Sequence, residues 1–435
     1  MDVLKLPKNF LIGTSTSPIQ IEGGDISSNW HKWCDYNHIK DGSHCSNAND
    51  HWNRYENDLK LLEKINVNTY RLGIEWSRIE PREGMFDKEA IAQYRDEILK
   101  LKEMKIKPLI TLHHFSNPLW VENKGDWENS EIVNYYLRYI EFIVSHLGDL
   151  ITDWITFNEP CVYLLAGHLI GIWPPGKKEI KSFFKGMNNI ITAHIKGYKK
   201  IHSIRRKFNF SGETKVGFSK HIRCFESNKN NILNNMLTRL IDYLFHDLIM
   251  EGMSKGKYKF PIGFGRYPLD KGKYYDFLAI NYYSRDILEF NIMKKPFIIR
   301  KTVKTSKKND LGWEIYPKGL FKICKKYYNK YKMDIYITEN GICDNTDKKR
   351  IQFIYDHLKE IEKLINEGIP IKGYYYWTFI DNFEWLEGES ARFGLVYNNF
   401  KNQDRTMKRS GEFFSKVCKD KKITENMMKS YNIKP

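Results

Sequence analysis

Two hydrophobic rhythms alternate along the chain. Short β-prone runs, apolar and often β-branched, occur at Phe10 to Thr16, Thr69 to Ile74, Pro108 to His113, Asp153 to Asn158, Lys215 to Ser219, Asp276 to Asn281, Ile335 to Glu339 and Gly373 to Phe379. Helical spacing fills the intervals, at Asn57 to Lys64, Lys88 to Met104, Ser130 to Leu147, Lys181 to Ile204, Asn231 to Met250, Lys318 to Tyr331 and Lys348 to Asn366, and again after the last run at Ser410 to Val417. Glu131 to Leu147 shows the period, with Ile132, Val133, Tyr136, Leu137, Ile140, Ile143, Val144 and Leu147 on one face. Strands alternating with helices, with no linker, repeat or low-complexity break, predict an α/β fold: a single-domain (β/α)8 TIM barrel over residues 1–435. A doubly wound sheet is the competitor, but no phosphate loop follows the first strand, and Gly23-Gly24 is no dinucleotide fingerprint. The longest irregular piece, Tyr282 to Trp313, holds β-prone Ile287 to Ile292 and Phe297 to Val303, a hairpin expected on the barrel mouth.

Composition narrows the function. With 41% hydrophobic residues the chain has material for a large core. The net charge of +17 permits nucleic-acid binding, but the lysines are spread along the whole length and no zinc finger, helix-turn-helix or stacking platform accompanies them. No nucleic-acid partner is expected. Met1 to Phe10 carries Lys5 and Lys8 around Pro7 without an apolar run, and no segment is long enough to span a bilayer, so a soluble cytoplasmic protein without membrane insertion is expected. The seven cysteines (Cys34, Cys45, Cys161, Cys224, Cys324, Cys343, Cys418) suit reduced thiols. His31, Cys34, His38, His44, Cys45 and His51 crowd one polar loop, but their spacing matches no common zinc pattern, so a packed loop is the default and no metal is assigned.

The chemistry is written at strand ends. Trp154-Ile155-Thr156-Phe157-Asn158-Glu159-Pro160 and Asp334-Ile335-Tyr336-Ile337-Thr338-Glu339-Asn340-Gly341 each end a β-prone run in a carboxylate, followed by Pro160 in one and an Asn-Gly turn signal in the other. One such acid alone reads as a strand or helix cap. Two carboxyl groups brought together across a cleft are what glycosidic-bond hydrolysis needs. The C-terminal ends of barrel strands form the active face, and the residues there are polar and aromatic. They comprise Gln20, Glu22, Arg71, Glu75, Trp76, His113, His114, Asn158, Asn281, Tyr282, Tyr283, Trp377, Asp381, Asn382, Glu384 and Trp385. Taken singly, His114 reads as a core histidine, Arg71 as a structural ion-pair partner and Trp377 as aromatic core.

The motifs Asn9 to Thr16 with Gln20-Ile21-Glu22-Gly23, Tyr70 to Ile79, Thr111-Leu112-His113-His114, Thr156 to Pro160, Ile280 to Tyr283, Ile337 to Gly341, Asp381 to Trp385 and Arg392 to Leu395 occur in order across nearly the whole chain. Together they resemble glycoside hydrolase family 1, the retaining β-glycosidases. The resemblance implies Glu159 as acid/base and Glu339 as nucleophile. It implies Gln20, His114, Asn158, Glu384 and Trp385 as binders of the sugar hydroxyls, with Trp377 as platform. Arg71 and Tyr283 would hold Glu339, and Asn281 would support the same site. It implies no cofactor and no metal, and a small-molecule β-glycoside or oligosaccharide as substrate. Phe115, Ser116 and Leu386 to Glu389 depart from the family pattern where the leaving group is read.

Charge sets the expected mechanism. Glu339 beside Arg71 should stay ionised, and Glu159 facing it should have a raised pKa and stay protonated, giving double displacement with retention. Exo-action on a terminal β-glucoside, with β-galactoside and β-fucoside alongside, is the expected activity. A 6-phospho-β-glycosidase, a transglycosylase and a non-catalytic carbohydrate-binding barrel remain as alternatives. The preferred sugar and the oligomeric state are not legible.

Overall fold

The computed structural model of the chain describes residues 2–228, 231–290, 298–301, 303 and 305–435. Its centre is a closed barrel of parallel strands: β1 (Leu11–Ser15), β2 (Thr69–Gly73), β3 (Lys107–Thr111), β4 (Asp153–Asn158), β5 (Lys215–His221), β6 (Leu278–Asn281), β7 (Ile335–Asn340) and β8 (Ile371–Trp377). They pair in sequence order, and β8 closes on β1 through Gly373↔Leu11 to Trp377↔Ser15. Around them lie α1 (His51–Lys64), α2 (Lys88–Glu103), α3 (Ile132–Leu147), α4 (Ile180–Lys207), α5 (Ile232–Asp242), α6 (Pro317–Tyr331), α7 (Arg350–Asn366) and α8 (Arg409–Asp420). After α5 a π-helical turn, Tyr243–Asp247, leads into Leu248–Lys255. The predicted fold class is the one observed.

The strand boundaries follow from which face each residue meets. Alternate residues of a strand point to opposite sides. In β8, Tyr374 and Tyr376 turn outward onto Phe414 of α8, while Tyr375 turns inward. There it joins Leu109, Ile155, Phe277, Ala279 and Tyr336 in a cluster that fills the barrel interior, and its hydroxyl lies 3.0 Å from Thr69 Oγ1. The aromatic run therefore supplies both core and barrel plug. α3 buries Ile132, Val133, Tyr136, Ile140, Ile143, Val144 and Leu147, the apolar side its period predicts; Leu137 is only partly buried.

Several elements differ from their predicted limits. α1 begins at His51, six residues before the expected Asn57, because Asp50 turns the chain in the left-handed region (φ 51°) and the polar first turns of α1 then pack His51 onto Asp58 and Glu97. β5 continues through Lys220 and His221, two residues beyond its predicted end at Ser219. Lys220 is buried, its ammonium over the Phe245 ring at 4.1 Å and donating to His221 O at 2.7 Å. At the mouth, Arg285–Phe290 pairs antiparallel with Ile298–Lys301, the expected hairpin, and parallel with Cys224–Ser227. Residues 291–297 and 302 of that predicted hairpin lie outside the described residues.

Candidate active site

At the C-terminal end of the barrel a cavity of about 270 Å³ is lined by Glu159, Glu339, His114, Tyr283, Trp377, Glu384 and Trp385, with Phe115, Trp173, His221 and Trp313 among its walls. The strands explain the convergence. Glu339 is the penultimate residue of β7 and keeps strand geometry. Glu159 stands one residue beyond β4, at φ 42° and ψ 54°, and Pro160 then opens the short helix Pro160–Leu164. A non-glycine residue held in that region costs on the order of 1 kcal/mol and persists where its surroundings fix it. Gly341, read from sequence as part of a turn, has no positive φ; a Cβ there would meet Trp377 O at 1.8 Å, so glycine is needed for close approach of β7 to β8.

Arg71, fully buried on β2, organises the floor. Its Nη1 donates to Glu339 Oε1 at 2.5 Å and to Ser15 Oγ at 3.0 Å, its Nε to Thr111 Oγ1 at 3.1 Å and its Nη2 to Asn158 Oδ1 at 2.7 Å. Tyr283 OH donates to the second oxygen, Glu339 Oε2, at 2.6 Å. Asn281 Nδ2 donates to Asn158 Oδ1 at 3.0 Å and to Glu159 Oε1 at 2.7 Å. A hydrogen-bonded path thus runs from one acid to the other. Asn158 spends its oxygen on Arg71 and Asn281, so its amide N–H donates to His114 Nε2 at 2.8 Å and leaves the ring proton of His114 on Nδ1. Burial, with Arg71 adding, pushes the His114 pKa well down, so the ring is neutral.

Glu384 accepts from Gln20 Nε2 at 3.0 Å, and Gln20 also reaches Asn382 Oδ1 at 3.4 Å. Gln20 and Asn158 are buried and reach the lining through these bonds. Trp385, at positive φ (49°), packs against Trp30, Trp173 and Phe115, and its ring lies 5.9 Å from that of His114.

The structure separates other strand-end residues from the cavity. Glu22 pairs with Arg78 and accepts from Tyr94; Glu75 caps the helix Trp76–Ile79 and accepts from Ser77. Trp76 stacks on Tyr139 in the core, His113 bonds Asn117, and Tyr282 turns away from the barrel axis to donate to Tyr316 O. Asp381 pairs with Lys408 and Arg392.

His221 was missed. Its Nδ1 lies 3.3 Å from Glu159 Oε1, inside the cavity wall. The signal was an acceptable strand residue beyond Ser219, masked by the charge of Lys220. This neighbour corrects the expected charge pattern. Burial raises Glu159, but the His221 charge and the hydrogen bonds from His221 and Asn281 outweigh it and bring that carboxyl below its ordinary value. Burial raises Glu339 as well, to about 7, with Arg71 and Tyr283 pulling down and the Glu159 charge pushing up. In the cleft the higher acid is therefore Glu339, the reverse of the sequence expectation. His221 itself is pushed down by burial, with Arg223 and Lys220 adding, so the ring is mostly neutral near pH 7. Its charge then no longer acts on Glu159, and the two acids and the imidazole share protons as one system. Burial and the Glu339 charge push Glu384 up to about 8.

The profile of glycosyl hydrolase family 1 matches residues 3–423. β-Glucosidase A of Thermotoga maritima is 32% identical over 97% of this chain and 99% of its own length. A β-glycosidase from Pyrococcus horikoshii superposes with a TM-score of 0.91 at 33% identity, covering 100% of this chain and 99% of its own. The β-glucosidase from Thermotoga maritima in complex with castanospermine superposes with a TM-score of 0.89 at 31% identity, covering 97% and 100%. The chain belongs to glycosyl hydrolase family 1 and is a glycoside hydrolase acting on O-glycosyl bonds.

Proposed function

We propose that this protein is a retaining, exo-acting β-glycosidase that removes a terminal, neutral β-linked sugar, a β-glucoside first and β-galactoside or β-fucoside alongside, with the whole chain acting as one catalytic unit. The observation that carries this reading is the clamp on Glu339: a guanidinium on one oxygen and a phenol on the other leave it aimed as a nucleophile. As positive charge develops at the anomeric carbon, that charge adds to Arg71 and Tyr283 in favouring ionised Glu339, and the proton that Glu339 favours before substrate binds shifts to the Glu159 side. Glu159 gives the proton to the departing oxygen, then takes one from water that opens the glycosyl-enzyme. Asn158, tied to Arg71, stands beside the nucleophile for a sugar hydroxyl; Trp377 offers its face to the ring.

The inner wall supports exo-action. The Gln20–Glu384–Asn382 cluster accepts and donates hydrogen bonds there, and the cavity volume lies at the small end of ligand pockets. Neutral sugars are favoured because Glu384 faces Glu339, and Glu387 lines the same cavity; a 6-phosphate dianion would raise the local negative charge. Membrane insertion plays no part in this reading: among the described residues no helix is long and apolar enough to cross a bilayer.

The test is direct. Proton NMR of the first-formed sugar from an aryl β-glucoside should show the β-anomer, and an early α-anomer would overturn retention. kcat/KM for the glucoside should exceed that for its 6-phosphate, and Glu384→Ser should narrow the gap.

A further inference from the structure

The loop between β1 and α1 gathers ligands that the hydrolytic chemistry does not use. Ser28 caps the helix Asn29–Asp35, its hydroxyl accepting from the His31 N–H at 3.1 Å. His31, Cys34 and Asp35 follow at i, i+3 and i+4, so they share one side of that turn. The chain then doubles back and lays His44-Cys45 against them. Cys34 Sγ, Cys45 Sγ and a ring nitrogen of His44 lie within 4.8 Å of one another, and the ligand atoms of His31, Asp35 and His44 meet the same limit. Both thiols are buried. The rings of His31 and His44 are 4.7 Å apart between centroids.

Donors arranged tetrahedrally around Zn²⁺ stand about 3.3 to 3.8 Å from each other, given metal–ligand bonds of about 2.0 to 2.3 Å. The three donors therefore need to close by about 1.5 Å at most, a side-chain adjustment. Asp35 Oδ1 lies 3.2 Å from His44 Nε2 and its Oδ2 3.3 Å from His31 Nδ1, so one carboxylate orients both rings; His44 Nδ1, which accepts from the Ser46 N–H at 3.0 Å, is the nitrogen that would exchange that bond for a cation. The sulfur content selects the cation. Two thiols with an imidazole suit Zn²⁺ and disfavour Mg²⁺ or Ca²⁺, which take oxygen.

We propose that Cys34, Cys45 and His44 bind a divalent cation of the Zn²⁺ class. Each thiol releases its proton to solvent on ligation. The cation ties the two ends of the loop whose tip braces the cavity rim. Asp41 Oδ2 accepts from the backbone N–H of Glu389 at 2.7 Å and of Ser390 at 2.9 Å, and the Lys40 N–H donates to Leu386 O at 3.0 Å. The site thus pins the turn that follows Glu384 and Trp385, without touching the reacting atoms.

Full-length protein, stripped with chelator under reductant, is titrated with Co²⁺ as a spectroscopic probe and then with Zn²⁺. The expected result is one Co²⁺ per chain, with thiolate-to-cobalt charge-transfer absorption and the d–d bands of a tetrahedral site, displaced by Zn²⁺. Zn²⁺ should raise the Tm of the wild type. Cys45→Ser and, as a variant on the partly exposed side of the loop, His44→Ala should each lower the Zn²⁺ affinity at least about a hundredfold and remove the Tm shift. No cobalt binding, cobalt binding without charge-transfer bands, or wild-type Zn²⁺ affinity in either variant would overturn the proposal. So would a thiol count in the unreduced, denatured protein two short of the seven cysteines, accompanied by loss of the count deficit in Cys34→Ser, since that would make the pair a disulfide.

Discussion

Glu339 and Glu159 both close a barrel strand, yet the protein holds them in opposite ways. Glu339 lies inside regular strand geometry, and the groups on its two oxygens, Arg71 and Tyr283, both donate. Glu159 lies past its strand in the left-handed region, and its partners are an amide and an imidazole, one of which can exchange a proton. On the proposed mechanism the difference separates two tasks. A carboxylate that must attack is gripped by permanent donors; one that must give and regain a proton is placed beside a group that titrates.

The sharpest way to break this contrast is Glu339→Gln. It should reduce kcat by about 10⁵-fold or more while circular dichroism stays that of the wild type, since loss of an essential nucleophile removes the covalent route. A variant retaining a tenth of the activity would end the assignment. Glu159→Ala comes next. On substrates with poor leaving groups kcat/KM should fall about 10²- to 10⁴-fold, and far less on activated aryl glycosides. Added azide should yield a β-glycosyl azide; an α-azide would refute the role.

Tyr283→Phe tests the clamp itself. Removing one charge-assisted bond worth roughly 1.5–3 kcal/mol should slow turnover about 10- to 100-fold and leave the leaving-group dependence unchanged. The smallest effect belongs to His221→Asn. His221, through its charge while protonated and through its hydrogen bond, holds Glu159 down, so its removal lifts that carboxyl. The acid works only while protonated, and activity is lost as pH rises through its pKa. The alkaline limb of the kcat/KM profile should therefore move upward, by up to roughly one pH unit. A limb that stays in place would separate the imidazole from the proton inventory of the site.

Legibility in the sequence tracked locality. The eight strands and their helices were readable because each carries its own period, and the two glutamates because each follows a β-prone run. Burial by distant elements was not readable. β5 was expected to end at Ser219, and Phe245, from the π-helical turn, together with the His221 carbonyl makes burial of Lys220 on the strand tolerable, which in turn carries His221 into the cleft. Tyr282 and Tyr283 form one dipeptide in the sequence, but just past the end of β6 one hydroxyl goes outward to Tyr316 and the other to Glu339. Likewise Gly341 looked like a turn former, and its reason for being glycine is a carbonyl on the neighbouring strand.

Arg71 draws on more of the barrel than any local pairing does. From β2 it bonds to Ser15 on β1, Thr111 on β3, Asn158 on β4 and both Thr338 and Glu339 on β7. These contacts come from segments spread over most of the chain, and they can coexist only after the ring of strands has joined end to end. The clamp on Glu339 is thus assembled by the closing event of folding. No half of the barrel can hold a partly competent site, and the appearance of activity is a more stringent sign of native register than helix content, which each βα unit can supply on its own.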